Sequence, residues 1–216
     1  MDYMKTCKDN QFDLAIVDPP YGIGNWIQTG GKINTRNPKG VDWNDEIPKE
    51  IYFDEIERVS KNRIIWGANY YNCFTTGGAI VWYKGPTSGK ISQCEIAAHT
   101  FYKKVDYFRY DWQSGFHRAK IENIIHDCQK PVVLYKWLLT NYAQPGDKLF
   151  DSHSGSGSFR IAAYDLGFDL ISCELDSDYY RDNNARYKNH IKQGELFTPE
   201  EIQKHIYTDI LLFKDT

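Results

Sequence analysis

Two stretches of this chain carry chemically capable side chains at spacings that strands and turns would bring together. In the first, "AIVDPPYGIG" (residues 15–24), an apolar run ends in Asp18, Pro19, Pro20 and Tyr21. Proline supplies no N–H and restricts the residue before it, so a strand here cannot continue past Asp18. What remains at the tip is a carboxylate, a rigid carbonyl-rich turn and an aromatic ring. Ligands of open α/β sheets bind off the carboxyl ends of the strands, which makes such a tip a candidate site. The plain alternative is a strand, a Pro-Pro turn and a surface tyrosine.

The second stretch, residues 148–180, reads "KLFDSHSGSGSFRIAAYDLGFDLISCELDSDYY". A strand ends at Asp151, Gly155 and Gly157 allow a tight turn with close ligand approach, and a helix follows with its N–H groups facing the turn. The next strand ends in Glu174, 17 residues after Gly157, a suitable place for an acid that takes two ribose hydroxyls. The dinucleotide fingerprint G-x-G-x-x-G is not met, because Arg160 stands where its last glycine belongs. A P-loop is not met either, since Gly-Lys-Ser/Thr is missing. The glycine turn alone is a weak sign of a cofactor loop; the acid at the tip of the next strand strengthens it.

The elements that must hold these tips alternate between strand and helix, the pattern of a largely parallel sheet. The spacing predicts strands over 12–17, 63–68, 79–83, 95–101, 105–112, 148–152 and 169–175. It predicts helices over 48–60, 131–142, 159–166 and 178–191, and residues 1–8 read as a further helix. The stretch 22–44 has no period and reads as a long loop, a kind of segment that is usually functional or disordered. Residues 198–201 look like a capping box with Pro199 at the first helical position, and "IYTDILLF" (206–213) reads as a strand that must pair with something.

Composition bounds the rest. The 216 residues suit one sizeable domain, and 41% hydrophobic with 25% charged residues is ordinary for a globular protein. No run approaches the ~20 apolar residues of a membrane span, and no signal peptide is expected. Five scattered cysteines without a C-x-x-C pair argue for reduced thiols, a cytoplasmic setting and no cysteine-rich zinc site. His99, His117 and His190 have no ligand spacing, so no metal is expected. A net charge of −3 does not advertise a nucleic-acid binder, yet seven Lys/Arg against three acids between Lys84 and Lys120 make that segment +4.

With D-P-P-Y at 18–21, I-W-G-A-N-Y at 65–70, Q-K-P at 129–131 and D-S-H-S-G-S-G at 151–157, the chain resembles the β-group of amino-methylating DNA methyltransferases. The likeness is greatest to the small adenine-N6 enzymes of phages and mobile elements. It covers residues 9–192, with the catalytic motif before the cofactor motif as in that group. The resemblance implies a single Rossmann-like α/β domain over 1–193, with a mostly parallel seven-stranded sheet and one antiparallel strand. It implies S-adenosylmethionine as cofactor and transfer of its methyl group to the N6 amine of an adenine flipped out of DNA.

In that chemistry Asp18 and the Pro19 carbonyl each accept one N–H, so the amine's lone pair localises toward the methyl group. The rigid Pro19-Pro20 turn aims the carbonyl, and Tyr21 stacks on the flipped base. The resemblance puts Asp151, Ser154, Gly155 and Gly157 along the methionine part of the cofactor, Glu174 on its ribose and Lys130 facing its carboxylate, with His153 and Ser156 as further cofactor-binding candidates. By itself Lys130 reads as a solvated residue just before a helix. Trp66 and Asn69 are candidates for the base pocket, although Trp66 also reads as a core residue. Glu95 could line the same pocket, but a lone acid at a strand start is more often exposed.

Residues 109–128 form a short target-recognition segment in this reading, with Arg109, Arg118 and Lys120 as DNA contacts. The mobile loop 22–44, with Lys32, Arg36 and Lys39, either contributes to DNA contact or closes over the site. Departures from the family pattern fall at Asp127, Cys128 and His153. The usual opening strand is missing, and the tail 194–216 is expected to complete the sheet in its place, with Asp209 facing the cofactor's adenine. Cytosine-N4 methylation, RNA adenine methylation and a catalytically silent nucleic-acid-binding subunit stand as alternatives. A homodimer or a partner subunit is compatible with the resemblance, and a membrane is not.

Overall fold

The computed structural model describes residues 1–23, 46–73, 77–86, 92–112, 118, 120–126 and 128–194. The loop 24–45, parts of the recognition segment and the tail from 195, with Asp209, lie outside the described residues.

The chain opens with helix α1 (Asp2–Thr6) and strand β1 (Phe12–Val17), then α2 (Glu50–Val59), β2 (Ser60–Trp66) and the short α3 (Ala68–Tyr71). Strands β3 (Gly78–Tyr83), β4 (Cys94–His99) and β5 (Val105–Arg109) follow, then α4 (Val132–Tyr142), β6 (Lys148–Asp151), α5 (Ser158–Asp165), β7 (Asp169–Ser172) and α6 (Ser177–Gly194). They form one seven-stranded sheet in the order β5-β3-β4-β2-β1-β6-β7. Every neighbouring pair is parallel except those made by β4, which runs against both β2 and β3. The expected α/β architecture, with one antiparallel strand, is what the chain adopts. Five strands end earlier than their apolar runs suggest: β2 at Trp66, β4 at His99, β5 at Arg109, β6 at Asp151 and β7 at Ser172.

Each face of the sheet has its own core because strand side chains alternate. Leu14 and Ile16 of β1 face Leu134 and Leu138 of α4 and Phe159 of α5. Ala15 and Val17 face the other way, onto Tyr52, Ile56 and Val59 of α2 and Met4 of α1. A strand buried on both faces loses the polar alternation, which is why β1 reads as a continuous apolar run. Helix α5 starts at Gly157, whose left-handed φ of 74° lets the chain turn sharply from β6.

For function, the order of the tips matters most. Since β1 lies between β2 and β6, and β7 beyond β6, the carboxyl ends after Trp66, Val17, Asp151 and Ser172 lie side by side. Asp18 and Asp151, far apart in sequence, are thereby carried by neighbouring strands. Being antiparallel, β4 brings its start to this same edge, with Glu95 opposite Trp82.

Candidate active site

The Pro-Pro turn after β1 is held from below by Tyr71 at the end of α3. Its hydroxyl contacts the carbonyls of Pro19 at 2.6 Å and Pro20 at 2.7 Å, and so aims both. Tyr21 stacks on Tyr70 with ring centroids 4.9 Å apart. Gly67 makes room for that stack, because a Cβ there would run into the Tyr21 ring, and its φ of 74° already favours glycine.

Around Asp18 the structure gathers a charged cluster. Asp18 Oδ1 accepts from the Tyr21 hydroxyl at 2.7 Å, and Oδ2 accepts from Lys130 Nζ at 2.5 Å. Lys130 also meets Glu95 Oε2 at 3.0 Å, and Lys84 meets Glu95 Oε1 at 2.8 Å. Lys130 is therefore no solvated residue before a helix: only 4% of its side chain is exposed, and it points at the Asp18 carboxylate. Glu95 corrects another expectation, since it lies partly buried between two ammonium groups instead of in solvent.

The electrostatics follow from burial and pairing. Burial pushes the Glu95 carboxyl up, but Lys130 and Lys84 outweigh it and hold the group at about 2. Burial pulls the Lys130 ammonium down, and Asp18 and Glu95 more than reverse this, so it stays charged. Burial raises the Asp18 carboxyl against the pull of Lys130.

The glycine turn between β6 and α5 is built differently. Asp151 is buried, and its Oδ1 accepts the His153 main-chain N–H at 2.9 Å. Burial lifts its carboxyl to about 7, with Asp18 and Glu174 adding to the rise. Glu174 Oε2 accepts the Gly155 N–H at 2.7 Å and Oε1 the Asp176 N–H at 3.0 Å, so this acid braces the turn. Ser154 Oγ accepts from Asn183 Nδ2 at 2.6 Å, and Gly157 lies so close to the Asn183 amide that a Cβ there would collide with it. The His153 ring packs edge-on against Tyr52 at 5.4 Å, and burial holds it at about 4 and hence neutral. Ser156 is buried, and its carbonyl accepts from Arg186 Nη1 at 2.8 Å.

Arg186 was not legible as a site residue. From α6 it donates to Ser156 and to Ser158 Oγ, and it pairs with Glu122 at 2.6 Å. Glu122 in turn accepts from the Val132 N–H at the start of α4 and from Gln129 Nε2. One buried ion pair thus ties the glycine turn to the Gln129-Lys130-Pro131 segment.

The remaining candidates scatter. Trp66 is fully buried against Trp82, with the Lys130 ammonium 5.4 Å from its ring centroid, and Asn69 is exposed. Arg109 is exposed and lies over the Tyr83 ring at 5.6 Å, Lys120 is exposed and Arg118 partly buried. Within the basic stretch, Lys84 turns inward to Glu95 at 2.8 Å, and the exposed Lys104 pairs with Asp106 at 2.6 Å. Among the described residues no cluster of three or more His, Cys, Asp or Glu could hold a metal ion, and no helix is long and apolar enough to cross a membrane.

Residues 81–185 match the family model of the N6/N4 DNA methylases. The type II methyltransferase M2.MboI of Moraxella bovis is 26% identical, over 89% of this chain and 89% of that one. M1.HpyAVI in complex with SAM has a similar fold, with a TM-score of 0.54 at 17% identity over 85% of this chain and 92% of that one. The PvuII cytosine-N4-specific DNA methyltransferase superposes with a TM-score of 0.56 at 12% identity, over 97% and 89%. Sequence and fold agree with the resemblance carried by the motifs: this chain is similar to DNA methyltransferases in sequence and shares their fold.

Proposed function

We propose that this chain transfers a methyl group from S-adenosylmethionine to the exocyclic N6 amine of adenine in DNA. The observation that carries the reading is the pairing of β1 with β6, which sets the Asp18-Pro19-Pro20-Tyr21 tip beside the Asp151–Gly157 turn. S-adenosylmethionine, when bound, supplies an electrophilic methyl group on a positively charged sulfur. The turn suits it: at Gly155, with φ of 48°, an added Cβ would meet no atom closer than 3.8 Å, so its backbone is bare for close approach. Gly157 lets the Asn183 amide pack beneath the turn. Asp151 and Glu174 make no ion pair among the described residues, so a cationic ligand finds carboxylates with no competing cation. Asp151, His153, Ser154, Gly155, Ser156 and Gly157 would line the methionine part and Glu174 the ribose.

At the other tip, an aromatic amine is a poor nucleophile because its lone pair is delocalised into the ring. Asp18 and the Pro19 carbonyl take its two N–H groups and stabilise the positive charge that grows on nitrogen as it attacks. The Pro19 carbonyl keeps a second lone pair free after accepting the Tyr71 hydroxyl. Asp18 needs no unusual basicity, because the amine proton becomes acidic once the methyl group has moved and can leave to water. The Tyr21 ring offers a stacking face for a base drawn out of the duplex. Aspartate at position 18, in place of serine, favours adenine over cytosine.

The test is transfer of labelled methyl groups from S-adenosylmethionine to unmethylated genomic DNA and to matched RNA, with Asp18→Ala as control. Label in DNA that maps to N6-methyladenine and is lost in the variant is the expected result. Label mapping to N4-methylcytosine, or only to RNA, overturns the assignment of the amine or of the polymer.

A further inference from the structure

Each carboxylate oxygen of Asp18 already carries a donor. Tyr21 donates to one carboxylate oxygen at 2.7 Å, and the Lys130 ammonium sits on the other at 2.5 Å. That ammonium lies on the carboxylate proposed to take the target amine's N–H, and competes with it there. It is buried, and driving it into water would leave Asp18 and Glu95 facing each other with less compensation. It has a nearer refuge. Glu95 Oε2 is 3.0 Å away, on an acid that Lys84 anchors from its far side at 2.8 Å. The rings of Tyr21 and Trp66 flank the ammonium at 5.5 and 5.4 Å, a setting that tolerates positive charge leaning on either carboxylate.

We propose that Lys130 is a built-in occupant of the amine-acceptor position, and that its ammonium shifts from Asp18 to Glu95 when the target amine enters. Glu95 is then a positioning residue: it acts on the reaction by drawing Lys130 away. The inference rests on the methyltransferase reading above. It explains why a half-buried acid and a second lysine stand behind the catalytic tip, where one carboxylate alone would serve the amine.

The decisive comparison is Glu95→Gln against the same chain with Lys130→Met added. The single change removes one negative charge and pins the ammonium on Asp18, so turnover at saturating cofactor and DNA falls about tenfold or more. The double variant restores the charge balance of the wild-type cluster and frees Asp18, so it recovers most of the lost turnover. A role confined to packing predicts the opposite, a second loss added to the first. A double variant no faster than Glu95→Gln, or Glu95→Gln turning over at the wild-type rate, overturns the inference. Melting temperatures of all three proteins show whether they fold.

A second measurement needs no variant. In crystals of the wild-type chain with sinefungin and a methylatable DNA oligonucleotide, the Lys130 nitrogen is expected nearer Glu95 than Asp18, with the target amine on Asp18. An ammonium still on Asp18 beside a bound base overturns the inference. A wild-type chain that moves no methyl group overturns the proposed function, and the inference falls with it. Activity in the wild type with a slow double variant overturns the inference alone.

Discussion

The two ends of the cleft handle buried carboxylates in opposite ways. At the amine end, Asp18 and Glu95 share the ammonium groups of Lys130 and Lys84, and the cluster is closed on itself. At the cofactor end, Asp151 and Glu174 receive main-chain N–H groups and make no ion pair among the described residues. A buried carboxylate without a counter-charge is costly, and the rise of Asp151 to about 7 records that cost. The contrast matches the charge of what each end is proposed to receive. A neutral amine brings no charge, so its acceptor must be compensated from within. A sulfonium brings its own, so its cleft is left acidic.

The largest test of that division is Asp18→Ala. Turnover is expected to fall by about 10³-fold, the scale of losing a group that stabilises charge developing in the transition state. Cofactor affinity, measured by calorimetry, stays close to wild type, because the lost carboxylate belongs to the self-compensated end and Glu95 still holds Lys130. An equal fall in cofactor affinity breaks the division.

Arg186 bridges the two ends, so its removal strikes both. Arg186→Met leaves Glu122 buried without its cation and is expected to cost about 3–5 kcal/mol of stability, read from urea unfolding. Adding Glu122→Gln removes the orphaned charge and returns part of the loss. A loss that the second substitution deepens would assign Glu122 its main role in holding Gln129 and Val132.

Gly157 concerns the cofactor end alone. Gly157→Ala places a Cβ against the Asn183 amide in a left-handed backbone, and is expected to destabilise by about 1–3 kcal/mol and to weaken cofactor binding. Gly146 is the control, with a φ of 89° and nothing within 4 Å of the added carbon. Gly146→Ala lowers the melting point less and leaves cofactor affinity unchanged.

The same two ends differ in how far the sequence reveals them. Asp18, Asp151 and Glu174 are legible because each follows a short apolar run, and strand tips in such sheets face ligands. The glycine turn is legible because its positive φ angles demand glycine. What escapes is what crosses the sheet. Lys130 meets Asp18 across 112 positions and Arg186 meets Glu122 across 64, and no local period encodes such meetings. Glu95 had a usable signal. Once one strand is known to run antiparallel, its first residues must lie at the edge where the parallel strands end, beside Asp18. As a lone acid at a strand start, without that constraint, Glu95 carries no sign of the site.

The smallest effect expected is a pH dependence confined to the cofactor end. With Asp151 at about 7, a positively charged ligand favours its ionised form, so binding below that pH must expel a proton. S-adenosylmethionine affinity is therefore expected to weaken by up to about tenfold per unit as pH falls below 7, and to level off above it. S-adenosylhomocysteine lacks the sulfonium charge and gives a flatter profile, and Asp151→Asn flattens both. Stability of the ligand-free chain runs in the opposite sense. The folded carboxyl sits above its ordinary 3.8, so the folded state holds the extra proton between that value and about 7. This contribution is whole below the window and is lost as pH rises through it. Thermal melts of wild type and Asp151→Asn across the window separate it from other groups: the wild type loses stability relative to the variant as pH rises. If the two cofactor profiles coincide instead, the acidic end does not read the charge of its ligand, and the contrast with the amine end is one of packing alone.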